Sequence, residues 1–185
     1  MAITRKKTER IELPKPKKSN GVSDLHKRLV KIAGQWLRAF DCSVVLTEPI
    51  SWAQEFPDAV GWKGGESYLV ECKCSRRDFR KDFSKVVRRN TFGGVGTYRF
   101  YMCPTGLIKP EDLPPKWGLL WVNENGKVSR IVGFKTRGNA SPLSMRHSGY
   151  AIDDKPPERR LQDEIYILTS ALRRKQEKRI RRKRA

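Results

Sequence analysis

The sequence is poor in three things: apolar residues, acids and cysteine. Hydrophobic residues make up 37% of its 185 positions, below the roughly 45–50% of an average globular chain. Acids number 20 against 40 lysines and arginines. There are four cysteines and two histidines. Apolar runs are only a few residues long, which excludes a membrane-spanning helix. The N-terminus is basic but lacks the apolar stretch of a secretory leader, so a reducing, cytoplasmic setting with free thiols is expected. Cys72 and Cys74 are spaced like half a metal site. However, Cys42 and Cys103 lie far off in the apolar contexts CSVVL and FYMCP, without the paired spacing of a zinc ribbon. Buried core thiols are the expectation.

The net charge of +20 is unevenly placed. Residues 1–20 hold seven bases and two acids, and residues 171–185 hold nine bases and one acid. The remaining 24 bases and 17 acids leave the middle of the chain at only +7. Tails of this kind cannot bury enough apolar surface to fold alone. Their natural partner is a polyanion, because neutralising phosphates releases condensed counterions. Basicity of a ribosome-like or incidental kind is the plainer alternative.

The length fits one domain with tails, and the expected organisation is a basic flexible arm over 1–21, a folded domain over 22–134, a loop over 135–157, and a helix with basic tail over 158–185. Ser23 and Asp24 open a helix whose stripe is Leu25, Leu29, Ile32, Ala33, Trp36, Leu37 and Phe40, the period of one buried helical face. Cys42–Thr47 reads as a strand. Residues 57–73 read as an antiparallel hairpin about the turn Lys63-Gly64-Gly65-Glu66. Ser75 and Asp78 form a capping-box pattern for a second helix. Tyr98–Cys103, Gly118–Val122 and Val128–Phe134 are further strands, and the last helix carries Leu161, Ile165, Leu168 and Leu172. Interleaved helices and strands predict an α/β fold with a central mixed β-sheet flanked by helices. No internal repeat is present.

The chemistry-bearing feature is Pro57-Asp58, twelve further residues, then Glu71-Cys72-Lys73. On a strand, residues 71 and 73 leave the same face with Cα atoms roughly 6.6 Å apart. Tyr68, Val70, Cys72 and Cys74 take the other face, and the hairpin brings Asp58 alongside. Two carboxylates converging beside an ammonium are costly to bury without a cation. A hard divalent ion resolves the charge, since Mg²⁺ takes one or two carboxylates and keeps waters. Its bound water is acidified and the phosphoryl oxygen polarised, while Lys73 can stabilise developing charge or orient the attacking water. A salt-bridged surface hairpin is the competing reading of the same residues.

The order helix–strand–hairpin–helix–strand with Asp58 and Glu71-x-Lys73 resembles the PD-(D/E)XK nuclease superfamily. More narrowly, VECKCSRRDFRKD resembles the MmcB-like DNA-repair proteins and related phage proteins, in which the E-x-K strand runs into the positions held here by Ser75, Asp78, Phe79, Asp82 and Lys85. The similarity covers about residues 23–132. It implies a restriction-endonuclease-like core, a Mg²⁺- or Mn²⁺-dependent endonuclease acting on DNA in repair, recombination or phage metabolism, and a cytoplasmic, nucleoid-associated location. By that resemblance Asp58 and Glu71 hold the metal with the backbone carbonyl of Cys72, and Lys73 is catalytic. Glu48 corresponds either to an upstream acid of the family or to an exposed loop residue. The chain departs from the commonest pattern in having Phe56-Pro57 where an arginine pair often precedes the first Asp.

Arg76, Arg77, Arg80, Lys81, Lys85, Arg88 and Arg89 give the second helix seven bases against two acids over residues 76–89. Arginine forks suit phosphate, so these seven are the candidate nucleic-acid contacts, DNA above all; a solvated helix face is the alternative. Nothing resembles a helix-turn-helix or zinc finger, so backbone rather than base recognition is expected. His26 and His147 read as structural. The tryptophans read as core, Trp62 near the turn being the candidate exception. No membrane partner is expected. Members of the superfamily often work as homodimers, though no dimer face is recognisable. A non-catalytic DNA- or RNA-binding protein that keeps the fold is the rival function.

Overall fold

A computed structural model describes residues 24–51, 53, 55–82, 94–133 and 161–184. The elements are helix α1 (Asp24–Ala39), strands β1 (Val44–Thr47), β2 (Ala59–Lys63) and β3 (Glu66–Cys72), helix α2 (Arg76–Asp82), strands β4 (Tyr98–Pro104), β5 (Trp117–Val122) and β6 (Val128–Val132), and helix α3 (Leu161–Arg184). The strands form one six-stranded sheet in the order β1-β2-β3-β4-β5-β6. β3, β4 and β5 run parallel; β1–β2, β2–β3 and β5–β6 are antiparallel. The chain is thus an α/β fold: among the described residues, a mixed sheet flanked by three helices. Ser23, the arm over 1–21, the loop over 135–157, Trp52 and His147 lie outside the described residues. Among the described residues no helix is long and apolar enough to cross a membrane.

The two sheet faces are separate cores. One is closed by α1: Leu29, Ile32, Ala33 and Leu37 meet Tyr68, Val70, Cys72, Phe100 and Met102. Each buried aliphatic side chain contributes about 1.5–3 kcal/mol, so α1 is held by its predicted stripe, apart from Leu25, which is 39% exposed. Gly61 permits this approach, because a Cβ there would lie 2.8 Å from the Cys42 sulfur. The other face gathers Val60, Leu69, Tyr101, Cys103 and Leu119 with Phe79 of α2 and Ile167 of α3. With both faces covered, β3 is buried at six of its seven positions.

The first strand is shorter than the apolar run Cys42–Thr47 suggests. The Cys42 amide donates to Leu37 O at 3.1 Å, so that residue closes α1 before β1 begins. The β2–β3 turn is made by Gly64 and Gly65 at φ +57° and +82°, as the hairpin requires. Ser75 caps α2, its hydroxyl accepting from the Asp78 amide at 3.1 Å. Asp78 reaches one residue further back than a capping box predicts, accepting from the Cys74 amide at 3.3 Å. All four cysteines are free thiols, and Cys42, Cys72 and Cys103 are buried. Burial raises each of these three, the Cys103 thiol to about 11, which keeps them protonated and inert.

α3 is docked differently from its apolar pattern. Leu161, Ile165 and Leu172 are at least half exposed, whereas Ile167, Asp163 and Glu164 are buried. Glu164 explains the choice. Its carboxylate accepts from Trp62 Nε1 at 3.0 Å, from the Ser67 hydroxyl at 2.7 Å and from the Gly96 amide at 3.3 Å. A carboxylate with three donors is stable in the interior. Trp62 is therefore tied to α3, whose Ile167 joins the core on that face of the sheet.

Candidate active site

Strand register assembles the candidate residues. Thr47 pairs with Ala59, and Ala59 with Val70; one position further, Glu48, Asp58 and Glu71 fall in one row across three strands. Glu71 pairs in turn with Tyr101. The row lies at the carboxyl ends of the parallel strands β3 and β4, where ligands of open α/β sheets collect.

Lys73 and Glu71 share a face, as their spacing predicts. Lys73 Nζ stands 3.4 Å from Glu71 Oε2 and 3.2 Å from Asp82 Oδ1. The Tyr101 hydroxyl donates to Asp82 Oδ2 at 2.8 Å, and the Lys73 amide donates to Met102 O at 2.8 Å. Glu71, Lys73 and Asp82 are 3%, 4% and 1% exposed, which rules out a solvated hairpin for this strand. Burial alone would lower the Lys73 pKa, but Glu71 and Asp82 outweigh it and raise the value. The side chain is therefore an ammonium at neutral pH, suited to stabilising negative charge and not to removing a proton.

Asp58 turns toward the end of β3 and toward α1. Its Oδ2 accepts from the Cys72 amide at 2.7 Å, and its Oδ1 lies 3.3 Å from His26 Nε2. The N–H and C=O of one strand residue leave on the same side, so the Cys72 carbonyl also faces Asp58. Glu48, by contrast, is exposed. It sits in the left-handed region at φ +44°, and its amide donates to Asp58 O at 2.9 Å.

The donors on offer, two carboxylates and a carbonyl, are the oxygen ligands that Mg²⁺ and Mn²⁺ prefer. Among the described residues no three of His, Cys, Asp and Glu form a ready metal-holding group. In kind the residues fit a hard divalent ion. In number they fit one whose shell is completed by water, as Mg²⁺ sites usually are. Charge points the same way: Asp58, Glu71 and Asp82 against Lys73 leave two formal negative charges.

Compared with family models and with curated proteins, the sequence matches none. Among solved structures, the fold is similar to that of the SPO1766 protein of unknown function from Silicibacter pomeroyi. The two share 22% sequence identity at a TM-score of 0.54, over 85% of this chain and 92% of that one. At that identity the likeness speaks to the fold alone.

The predicted basic contacts on α2 divide. Arg76 is committed elsewhere: its guanidinium forks onto both carboxylate oxygens of Asp112, at 2.5 and 2.9 Å, and also donates to Leu107 O at 3.3 Å. It ties α2 to the loop before β5 rather than standing ready for phosphate. Arg77, Arg80 and Lys81 are exposed; Lys85, Arg88 and Arg89 lie outside the described residues.

His26, which the sequence alone reads as structural, lies against Asp58. The available signal was its place one turn into a helix that packs on the hairpin. His26→Ala is expected to slow the reaction proposed below about 10–100-fold, the usual cost of removing a group that orients a ligand. Its melting temperature should stay close to wild type, because the imidazole is not in either core. A melting curve beside a rate measurement checks both.

Proposed function

We propose that the protein is a metal-dependent nuclease hydrolysing DNA phosphodiester bonds, built on a restriction-endonuclease-like core. The observation that carries this reading is the register row of Asp58 and Glu71 beside a lysine buried between two carboxylates. Buried clusters of charge of this kind gather at functional sites, and this one stands at the end of the register row. The MmcB-like resemblance of VECKCSRRDFRKD points to repair, recombination or phage DNA metabolism as the setting.

Asp58, Glu71 and the Cys72 carbonyl would hold Mg²⁺ or Mn²⁺, which when bound supplies an acidified water and a polarised phosphoryl oxygen. In hydrolysis the attacking water gives up a proton to solvent as its oxygen bonds to phosphorus, one P–O ester bond breaks, and the leaving oxygen takes a proton from solvent. Lys73 places a fixed positive charge at the centre where negative charge develops, in surroundings dry enough to strengthen it. Asp82, held by Tyr101, keeps the ammonium pointed. His26 keeps the Asp58 carboxylate from rotating.

Labelled duplex, single-stranded and branched DNA incubated with Mg²⁺ or Mn²⁺ test the reading. Asp58→Ala and Glu71→Gln should each lose at least about a hundredfold in cleavage rate, the scale of electrostatic groups at reacting centres. Mn²⁺ should also raise the melting temperature of the wild type and leave that of Glu71→Gln unchanged, because only a folded site binds the ion. Wild type that binds DNA but never cuts it, with no thermal response to metal, makes the chain a binding module instead.

A further inference from the structure

The described part of α3 ends in a basic stretch whose placement the nuclease reading does not use. From Arg173 to Lys183 it holds eight bases and one acid, Glu177. Glu177 is drawn to Arg173, at 3.9 Å. The other side of the helix, through Arg174, Lys175, Lys178, Arg179, Arg182 and Lys183, walls a cleft of about 680 Å³ whose opposite wall is Leu46 to Ile50. These six recur at helical neighbour spacings and so form one continuous stripe. Arg174 anchors the helix there by donating to Ile50 O.

Two features separate this stripe from an ordinary solvated face. The first is that its cleft contains Glu48, which is bonded through its amide to Asp58 O at 2.9 Å; the cleft therefore opens beside the candidate row. The second is the make-up of its walls. The far side offers Leu46, Pro49 and Ile50, with Ile50 73% exposed, so cations rim an apolar floor. A nucleic-acid strand has that division, with phosphates on one edge and sugar faces on the other. From Arg174 to Arg182 the helix rises about 12 Å, which spans roughly three or four base-pair steps at 3.4 Å of duplex axis each.

We infer that the α3 stripe and the β1-end cleft are the track for the DNA backbone, leading one strand to the Asp58–Glu71 row. The inference rests on the nuclease reading for its choice of polyanion, and it moves the main phosphate contacts from α2 to α3. Arginine and lysine here position the strand and read no sequence.

The test is fluorescence anisotropy of a labelled 30-bp duplex with the full chain in EDTA, across a series of salt concentrations. Lys178→Gln/Arg179→Gln/Arg182→Gln leaves the Arg174 anchor intact and removes three charges. The plot of log affinity against log salt should become shallower by about 2.7, at roughly 0.9 per lost phosphate contact. The comparison variant Arg77→Gln/Arg80→Gln/Lys81→Gln should change the slope by less than one such contact. An unchanged slope in the α3 variant overturns the assignment, whatever the α2 variant does. So does a wild type that prefers anionic lipid vesicles to duplex, which would make the stripe a membrane-surface contact. Because no metal is present, failure of cleavage leaves this result standing, and failure here leaves the metal-site tests untouched.

Discussion

Lys73→Met is expected to abolish cleavage and to cost about 3–5 kcal/mol of stability, the usual penalty for stripping one partner from a buried ion pair. That is a large share of the roughly 5–15 kcal/mol that holds a domain together. The geometry explains the size: Glu71 Oε2 and Asp82 Oδ1 lie 3.4 and 3.2 Å from the same nitrogen, so its loss leaves two like charges across the vacated site. The pH dependence has a definite sign. A raised lysine pKa contributes stability that is complete below the ordinary value near 10.5 and disappears as pH rises through the folded-state value above it. The gap between wild type and variant should therefore be flat from pH 7 to 9 and close above pH 10.5. Urea melts at these pH values decide the matter. A variant as stable as wild type at pH 7 shows that Lys73 does not hold the two acids together.

The second large effect falls on Arg99. Its Nη2 is 2.7 Å from Glu55 Oε2, its Nε donates to Val95 O at 3.0 Å, and its guanidinium lies 5.4 Å from the Trp117 ring centroid. The same Glu55 oxygen accepts from the Val95 amide at 2.7 Å. Both charged residues are buried, at 8% and 5% exposure. Arg99→Met should cost about 3–5 kcal/mol, again by leaving a carboxylate buried without its cation. The pair also fixes the segment that delivers Pro57 and Asp58 to β2, so on the proposed function metal affinity should fall alongside stability. Glu55→Gln/Arg99→Met should recover much of the stability but not the metal affinity, since a pair removed whole costs less than a pair broken. Equal stability of the single and double variants removes the clamp from the account.

These polar pairs mark the boundary of what the sequence discloses. Regular repetition was legible: the α1 stripe, the hairpin about Gly64 and Gly65, and Glu71 and Lys73 on one face all follow from periods of 3.6 and 2. Glu55 and Arg99 are 44 residues apart and Glu164 and Trp62 are 102 apart, and no period links them. The last helix shows how the rule fails. Its apolar spacing marks Leu161, Ile165, Leu168 and Leu172; Leu168 is half-buried, yet a carboxylate with three donors on the sheet turns the helix so that the other three remain exposed. At the candidate site, Glu71 and Lys73 were visible as a motif, while His26 and the hold of Tyr101 on Asp82 needed tertiary packing to appear.

The Glu164 clasp also orders events in time. Ser67 is made 97 residues before the carboxylate it donates to, and Trp62 102 residues before. A ribosome adding about 5–20 residues per second leaves that hydroxyl and that indole N–H without their acceptor for some 5–20 seconds. Thr97 Oγ1, 3.3 Å from the Ser67 hydroxyl, can serve the serine in the interval, but the indole N–H is left to water, so this patch of the sheet stays wet until α3 arrives and displaces it. Docking of α3 is thus the natural last step of folding, and the amide protons beneath it, Gly96 among them, should be the last to gain protection from exchange.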